Sequence, residues 1–409
     1  MKVEIQVNNS NDPKSRYLGW APSACRVRVV DTTGLGVDAV DITIGGKSAA
    51  SGGAVSFRQN TTGRFGNQIT LSVPPDGSFV SFFTAGKFGS PSAEDGDVAI
   101  EARSGATLVG STPVMVRIRK NATSLTDAER DRFVTAFALL NGKGMGRFKD
   151  FRDMHVAASI AQAHGNPGFP PWHRAYILDL ERNLQAIDPS VALPYWRFDQ
   201  PAPNIFTPEF LGGPAPMGGD QVYFNTSNPL QFWVTDGQVG VDRRANFNLS
   251  SKPPGLLTEA QTLALGSAFR VFRQMEGNPH GSAHTSFTGP IDSVPTAARD
   301  PLFFLLHCNV DRLWAKWQKK YDRFDPAVTD SFDSSRPYPP GHNLKDTMWP
   351  WNGVTGAPRP PTAPGGPMAD SLCVSAPGPQ PRVMDVLDYQ GLIASSSVLG
   401  FDYDDISFA

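Results

Sequence analysis

Alternating apolar and polar residues recur along the first 120 residues of the chain. The apolar positions of five runs lie two residues apart: Cys25, Val27 and Val29; Val40, Ile42 and Ile44; Ile69, Leu71 and Val73; Val98 and Ile100; Val114, Val116 and Ile118. A period of two is typical of a β-strand with one buried face, and the Gly, Pro, Asn and Asp residues between the runs favour turns. Residues 1–120 are therefore predicted to form an antiparallel β-sandwich or barrel.

Helical spacing replaces this alternation after residue 120. Thr126 and Glu129 have the spacing of a capping box, and Phe133, Phe137 and Leu140 then recur at intervals of three and four. Residues 121–409 are predicted to form a mainly α domain with long loops, in which the Pro/Gly-rich segment 350–382 is irregular. The predicted fold class is thus α+β with two domains, joined by a linker near residue 120.

Composition excludes several classes of protein. The chain has 409 residues, of which 40% are hydrophobic and 19% charged, and its net charge is -2. This is enough apolar material for a large core, and it implies neither a nucleic-acid nor a membrane partner. No Sec-type signal is visible, so a cytoplasmic location is expected, with export by another route left open. Three cysteines without a CxxC pair exclude a disulfide scaffold.

Six of the seven histidines fall into two groups of three. In the first group, His155 lies in a helical pattern and His164 follows nine residues later, half a turn out of phase. One helix cannot direct both at one ion, so His164 is expected in a loop that Gly165 and the following residues create. His173 follows two prolines, which suits the first turn of a new helix.

The second group has a different spacing. His280 and His284 are i, i+4 neighbours on one helix face, a spacing that lets two imidazoles share an ion, with Asn278 as the expected N-cap. His307 lies on an apolar stripe of a helix that begins after Asp300, with Phe303 one turn away.

A metal centre accounts for these histidines better than ordinary core packing does. A single histidine on an apolar face is usually a core residue bonded to a carbonyl. Six such residues in two groups would each need a separate partner, whereas two metal ions would satisfy all six together. Three neutral nitrogens suit copper, or zinc in an open site.

Two motifs resemble the copper motifs of tyrosinases. The first runs from Gly168 through the Pro170-Pro171-Trp172-His173-Arg174 sequence, with Glu181 following. The second runs from Asp300-Pro301 through His307 to Trp314, and Pro194-Tyr195-Trp196 matches a further landmark of the family. The resemblance covers about residues 122–409 and leaves the β domain as an N-terminal addition to a bacterial-type polyphenol oxidase.

The resemblance implies a type 3 dicopper site in a four-helix bundle. His155, His164 and His173 would hold one copper ion, and His280, His284 and His307 would hold the other. Dioxygen would be the co-substrate, and a small phenolic compound would be oxidised to an o-quinone. The oligomeric state stays open.

The chain departs from the family pattern at several positions. Leu306 replaces a histidine that many members carry next to the ligand, and Gln162 replaces a cysteine that forms a thioether in some members. Glu276 matches a glutamate that orients a water near the second copper, with a surface or capping carboxylate as the alternative. The residue after the first ligand of that site is often Asn in enzymes that hydroxylate monophenols, and here it is Gly281. Diphenolase activity is therefore expected to exceed monophenolase activity.

Other residues carry weaker expectations. Thr285 and Val294 line the substrate entrance or belong to ordinary loop packing. Arg174, Asp311 and Arg312 are expected to support the ligands through buried polar contacts. Cys308 lies about 100° around the helix from His307 and should not reach the same copper. His342, in a Pro-Pro-Gly-His loop, is expected on the surface.

Three alternatives to an active oxidase follow from the same residues. An oxygen carrier of the haemocyanin type shares the six histidines but shields them from phenols. A latent oxidase would have its site covered by the β domain, for example by loop aromatics such as Phe82, Phe83 and Phe88, and cutting near Lys120 would then raise activity. A dizinc hydrolase is disfavoured because no bridging carboxylate motif is present.

Overall fold

The computed structural model describes residues 1–33, 36, 38–216, 218–244 and 252–408. These residues form two compact units. The β unit comprises Met1–Ile118, Ser371–Ser375 and the segment that begins at Gly400, and the helical unit comprises Arg119–Asp370 and Ala376–Leu399. The chain therefore returns to the β unit twice after residue 120, which the predicted boundary did not include.

Nine strands occur among the described residues of the β unit. They are β1 (Lys2–Val7), β2 (Tyr17–Leu18), β3 (Ser23–Asp31), β4 (Val40–Ser48), β5 (Val55–Arg58), β6 (Gln68–Val73), β7 (Val80–Gly86), β8 (Val98–Ser104) and β9 (Thr107–Val116). One sheet has the order β1-β3-β7-β5 and the other the order β2-β9-β8-β4-β6. The strands pair antiparallel except β2 and β9, which are parallel. The five runs predicted from alternation lie in or at the end of β3, β4, β6, β8 and β9.

The core of the β unit draws its side chains from both sheets. Cys25 and Val27 of β3, Ile42 of β4 and Phe82 of β7 are fully buried in one hydrophobic cluster. Phe82 and its neighbour Phe83 were expected in an exposed loop, and this expectation is wrong because both lie in β7. Of the three aromatics, Phe88 alone is largely exposed.

A segment distant in sequence completes the β unit. The backbone N–H of Trp20 donates to Asp402 Oδ2 at 2.7 Å, and its indole N–H donates to the carbonyl of Tyr403 at 2.8 Å. A Cβ at Gly19 would lie 2.4 Å from Asp402 Oδ2, so this close approach requires a glycine. Asp402 and Tyr403 therefore hold the chain directly after strand β2.

Eight α-helices occur among the described residues of the helical unit. They are α1 (Asp127–Asn141), α2 (Phe148–Met154), α3 (Ile160–Ala163), α4 (Phe169–Ile187), α5 (Glu259–Leu263), α6 (Phe269–Phe272), α7 (Ser282–His284) and α8 (Leu302–Tyr321). The Thr126–Glu129 capping box is present at the start of α1, and Gly142 ends that helix with φ 53°. Segment 350–382 contains no helix or strand.

Helices α4 and α8 pack against each other through a buried ion cluster. Asp311 of α8 accepts hydrogen bonds from Arg174 Nε of α4 at 2.5 Å and from Arg119 Nη1 at 3.2 Å. Arg119 also pairs with Glu181 of α4 at 2.6 Å. All four side chains are at most 2% exposed, so each charge has its counter-ion within the cluster.

The expected linker near Lys120 is not a free connection. Arg119 is buried in the ion cluster, the Lys120 ammonium pairs with Glu129, and the Lys120 carbonyl accepts from the Tyr195 N–H at 3.0 Å. A protease cut at this position is therefore not expected in the folded protein. None of the described helices has the length and apolar character needed to cross a bilayer.

Candidate metal centre

The first group of histidines meets at the ends of three helices. His155 directly follows α2, His164 directly follows α3, and His173 lies in the second turn of α4. Ligand nitrogens of the three side chains all lie within 4.8 Å of one another. His164 has an extended backbone and Gly165 a φ of 74°, so the chain leaves the helical path between α3 and α4 as the nine-residue spacing predicted.

The second group is equally compact. His280 and His284 lie on neighbouring turns with ring centroids 4.7 Å apart, and His307 comes from α8. Their ligand nitrogens also lie within 4.8 Å of one another. Asn278 does not cap this helical segment as expected. Its side chain instead accepts from the Leu257 N–H and donates to the Gly255 carbonyl, which holds a distant loop.

The two groups face each other across the interface of α4 and α8. The rings of His173 and His307 stack with centroids 4.3 Å apart and an interplanar angle of 11°. His164 and His280 approach to 6.0 Å between centroids. The two triplets therefore form one continuous cluster of imidazoles, as expected for a pair of adjacent ions.

Hydrogen bonds fix which nitrogen faces the centre in three of the rings. Nδ1 of His173, His280 and His284 bonds to the carbonyls of Phe169, Glu276 and Ile291 at 2.7–2.9 Å. A carbonyl only accepts, so Nδ1 carries the proton and Nε2 carries a lone pair directed inward. This is the tautomer that a metal-binding histidine needs.

Two features show that the inner nitrogens fit metal ions. Among the described residues, Nε2 of His173 and Nε2 of His280 are buried and have no hydrogen-bond partner. Nε2 of His284 lies 3.2 Å from Nε2 of His307, and Nε2 of His155 lies 3.0 Å from Nε2 of His164. Buried lone pairs without donors are costly, and a cation shared by each triplet removes that cost.

Burial keeps these imidazoles neutral. It lowers the pKa of His284 to about 4. Burial first, and then the neighbouring imidazoles, lower the pKa of four further rings well below the usual value: His155, His173, His280 and His307. The neutral imidazole is the form that coordinates a metal, so these five rings are already in the protonation state for binding.

Glu276 lies beside the first triplet. Its Oε1 accepts from the backbone N–H of Gly165 at 2.7 Å and lies 3.2 Å from Nδ1 of His164. Glu276 thus orients the ring of His164 and holds the turn that follows it, while its backbone carbonyl holds His280. The resemblance placed this carboxylate near the second triplet, but in the structure the carboxylate contacts His164 of the first triplet, and it is the backbone of Glu276 that contacts the second.

The residues expected at the entrance lie at the edge of the cluster. Gly281 follows His280, and a Cβ there would lie 3.4 Å from its nearest neighbour, the carbonyl of Glu276. Thr285 is exposed and donates to the carbonyl of Gly281 at 3.1 Å. Val294 is 37% exposed. The side chains of Thr285 and Val294 are therefore accessible from solvent.

Phe303 packs against histidines of both triplets. Its ring lies 4.2 Å from that of His307 and 4.7 Å from that of His155, measured between centroids. This confirms the predicted contact one turn before His307. Cys308 is buried and directed at the Leu193 carbonyl, 3.5 Å away, so it lies outside the ligand set as expected.

The supporting polar residues behave as predicted, with one omission. Arg174 and Asp311 pair with each other, and Arg312 pairs with Glu259 at 2.8 Å. Arg119, which connects Asp311 to Glu181, was missed. Arg117 and Arg119 lie at the end of an alternating strand pattern, and nothing in this local sequence indicates that Arg119 becomes buried.

His342 is buried, contrary to the expected surface position. Its side chain is fully enclosed, and both ring nitrogens lie within hydrogen-bond distance of backbone atoms of residues 161 and 168. The Pro-Pro-Gly context suggested an exposed loop, but that loop packs onto the segment that carries His164.

Comparison with known proteins shows which family the chain resembles in the range that contains this centre. A family model described as "Common central domain of tyrosinase" matches residues 145–320, the range that contains all six clustered histidines. A tyrosinase of Streptomyces antibioticus is 33% identical over 275 residues, and the match spans 59% of this chain and 94% of the relative. A tyrosinase of Streptomyces glaucescens is 33% identical over 281 residues, with the same shares of both chains. The solved structure of a Thermothelomyces thermophila polyphenol oxidase superposes with a TM-score of 0.47 at 19% identity, over 70% of this chain and 88% of that chain.

Proposed function

Because the chain belongs to the tyrosinase family, whose centre is dinuclear copper, we propose that it is a type 3 copper polyphenol oxidase that favours o-diphenols over monophenols. The bundle expected around the centre would be formed by α4, α8 and the shorter helices beside them, and the two sheets of the β unit would form a sandwich. The substrate class is a small phenol, and the co-substrate is dioxygen.

One observation carries this proposal: two adjacent sets of three imidazoles, five of the six buried and His164 half-buried, in each of which the ligand nitrogens lie within 4.8 Å of one another. We assign one copper ion to His155, His164 and His173, and the other to His280, His284 and His307. A bound copper pair would supply two-electron oxidation of each of two diphenols coupled to four-electron reduction of dioxygen, which together yield two o-quinones and two waters. Neutral nitrogen ligands suit copper in both of its oxidation states.

The protein residues contribute positioning and a dry environment. The Nδ1 anchors of His173, His280 and His284 fix three ligand rings before any metal binds. Phe303 and Phe169 cover the apolar sides of the cluster, with Phe169 4.6 Å from His173 between ring centroids. Excluding water from the centre limits side reactions of reduced oxygen.

Glu276 and Gly281 are proposed to set the preference for diphenols. A monophenol must lose its proton near the centre, and a carboxylate with a neighbouring amide can hold a water that accepts it. In the described residues, Glu276 Oε1 is already engaged by Gly165 and His164, and Gly281 offers no side chain. A catechol is more acidic and needs less assistance, so its oxidation is the expected activity. Thr285 and Val294 are proposed to line the entrance.

Copper loading followed by exposure to a catechol tests the proposal. The purified chain is stripped with chelator, loaded with copper and mixed with catechol in air-saturated buffer. We expect two copper ions per chain, oxygen uptake and coloured o-quinone. A variant in which His307 is replaced by Phe is the matched control, since it keeps an aromatic ring but removes one ligand.

Three results would contradict the oxidase. Reversible oxygen binding without quinone would indicate a carrier of the haemocyanin type. Absence of copper uptake would exclude both the oxidase and the oxygen carrier. Hydrolytic activity restored by zinc would support a dizinc site. Activity that appears only after limited proteolysis would instead indicate a latent oxidase.

A further inference from the structure

The segment that carries His164 has few connections of its own. Helix α3 has only four residues, and His164 follows it in an extended conformation, with its N–H bonded to the Ile160 carbonyl at 2.8 Å. Helix α4 begins at Phe169. A single turn of helix is only marginally stable, so residues 161–168 need support from elsewhere to hold a ligand.

His342 supplies that support at both ends of the segment. Its Nε2 lies 2.7 Å from the carbonyl oxygen of Ala161, in α3, and its Nδ1 lies 3.2 Å from the backbone N–H of Gly168, which precedes α4. The carbonyl accepts and the N–H donates, so the neutral imidazole carries its proton on Nε2 and accepts at Nδ1. One ring therefore satisfies a carbonyl at the end of one helix and an N–H at the start of the next.

Two glycines make this contact possible. A Cβ at Gly168 would lie 2.4 Å from Nδ1 of His342 and 2.8 Å from the Gly341 carbonyl. A Cβ at Gly341, where φ is 93°, would lie 2.9 Å from Oε1 of Gln162. Gln162 in turn donates to the Pro340 carbonyl at 3.1 Å. The two backbones approach too closely for any larger residue at these points.

The loop that presents His342 is itself braced. Asp346 Oδ2 accepts from the Gly341 N–H at 2.9 Å and from Asn343 Nδ2 at 2.7 Å. Asn343 Oδ1 accepts from the Tyr338 N–H at 2.9 Å. These bonds fix residues 338–346 as a unit, so the imidazole of His342 is held by a structure independent of α3 and α4.

From these contacts we propose that His342 is a positioning residue for the His164 ligand. The 338–346 loop clamps residues 161–168 through His342 and Gln162 and so fixes His164 relative to His155 and His173. This inference rests on the proposed copper centre. Because residue 162 is a glutamine, it cannot form the thioether found in some family members. The loop that carries His164 is instead constrained noncovalently, by Gln162 and His342.

Copper release from H342L tests the proposal. Leucine fills part of the ring volume and removes both hydrogen bonds. We expect one of the two copper ions to be lost to a chelator about 10- to 100-fold faster than from the unaltered chain, as for other residues that orient metal ligands. The half-loaded protein should show the electron paramagnetic resonance signal of an isolated Cu(II), with the spectrum that H164A gives. The fully loaded oxidised pair is silent because its spins are coupled.

Two further variants separate positioning from general destabilisation. Asn228 is also buried and, like His342, bonds to the backbone at two residues, here the carbonyls of Pro208 and Phe210, but it lies in another loop. N228L should lower thermal stability without accelerating release of one copper ion. H342Q keeps a donor and an acceptor at one tip, so its release rate should lie between those of H342L and the unaltered chain, and it serves if H342L does not fold.

The outcomes distinguish this inference from the proposed function. An unaltered chain that binds no copper would overturn the copper centre. A chain that binds two ions, with a folded H342L or H342Q that releases them at the unaltered rate, would overturn the positioning role alone. Equal acceleration in H342L and N228L would also overturn it.

Discussion

At the scale of the residue, the side-chain spacing of the histidines predicted their grouping but not how each ring is held. The Nδ1 acceptors of His173 and His280 are carbonyls four residues earlier in sequence, a local relation that helical spacing favours. The partners of His164 and His342 come from segments more than 100 residues away. Such contacts have no sequence signal, which is why His342 was wrongly placed on the surface.

Position 281 offers a direct test of substrate preference. Replacing Gly281 with Asn should raise the ratio of monophenol to diphenol turnover several-fold, because the amide would hold a water beside Glu276. The space exists, since a Cβ there meets its nearest atom at 3.4 Å. The two turnover rates are measured with a monophenol and its matching catechol. Gly281→Ala is the control, and an equal rise in both variants would show that backbone stiffening, not the amide, is responsible.

The three thiols should differ sharply in reactivity. Burial raises the pKa of Cys25 to about 12, and Cys308 is fully enclosed, whereas Cys373 is half-buried. At pH 8 a disulfide reagent should therefore modify one thiol in the native protein and three in urea. Cys373→Ser should abolish the native reaction. Rapid modification of a second thiol in the folded protein would contradict the buried positions.

The raised pKa of Cys25 predicts that the protein loses stability at alkaline pH. The folded-state pKa of Cys25 is raised above the unfolded value of 9.0, so its contribution is fully present below pH 9 and is lost as pH rises toward 12. Between these limits, a Cys25→Val variant should lose less unfolding free energy than the unaltered chain. Denaturant titrations at pH 8 and pH 10.5 measure the difference, and parallel losses would show that Cys25 does not contribute.

At the scale of the element, long and strongly periodic segments were predictable and short ones were not. The helices α1, α4 and α8 and the strands β3, β4, β6, β8 and β9 follow their periodicities. The helices α5, α6 and α7 have three to five residues, too few for a helical period to be recognised. Their conformation depends on tertiary contacts, such as the bond from the Lys316 ammonium to the Glu259 carboxylate at the start of α5.

The ion cluster between α4 and α8 should be a major source of stability. Asp311→Asn leaves Arg174 and part of Arg119 without a buried counter-ion, so we expect a loss of about 3–5 kcal/mol of unfolding free energy. Asp127→Asn is the matched control, because Asp127 is 88% exposed in its pair with Arg130 and should lose less than about 1 kcal/mol. Urea titration measures both, and similar losses would show that the cluster is not specially stabilising.

At the scale of the whole molecule, composition and periodicity predicted a β region and a helical region. They did not predict which residues belong to each region. Residues 371–375 and those from 400 onward belong to the β unit although they follow the helical unit in sequence. The bonds from Trp20 to Asp402 and Tyr403 join residues more than 380 positions apart. Neither partner is unusual in its own sequence context, so only the three-dimensional structure reveals the pairing.

Metal removal should lower the stability of the chain. A ligand that binds only the folded state at 100 times its dissociation constant adds about 2.7 kcal/mol. For a unit of this size, that corresponds to a rise in Tm of about 5–10 °C. Calorimetry of the chelator-stripped and copper-loaded protein measures it, with the His307→Phe variant showing a smaller rise. An unchanged Tm in the unaltered chain would contradict a preformed copper site.

The pairing of Trp20 with Asp402 also has a consequence for biosynthesis. A ribosome adds Asp402 382 residues after Trp20, so the backbone and indole N–H groups of Trp20 must wait for acceptors that are made much later. During that interval the N–H groups of Trp20 depend on water or on a chaperone. Shortening the gene at its 3′ end would therefore damage the β unit, most of which is encoded at its 5′ end.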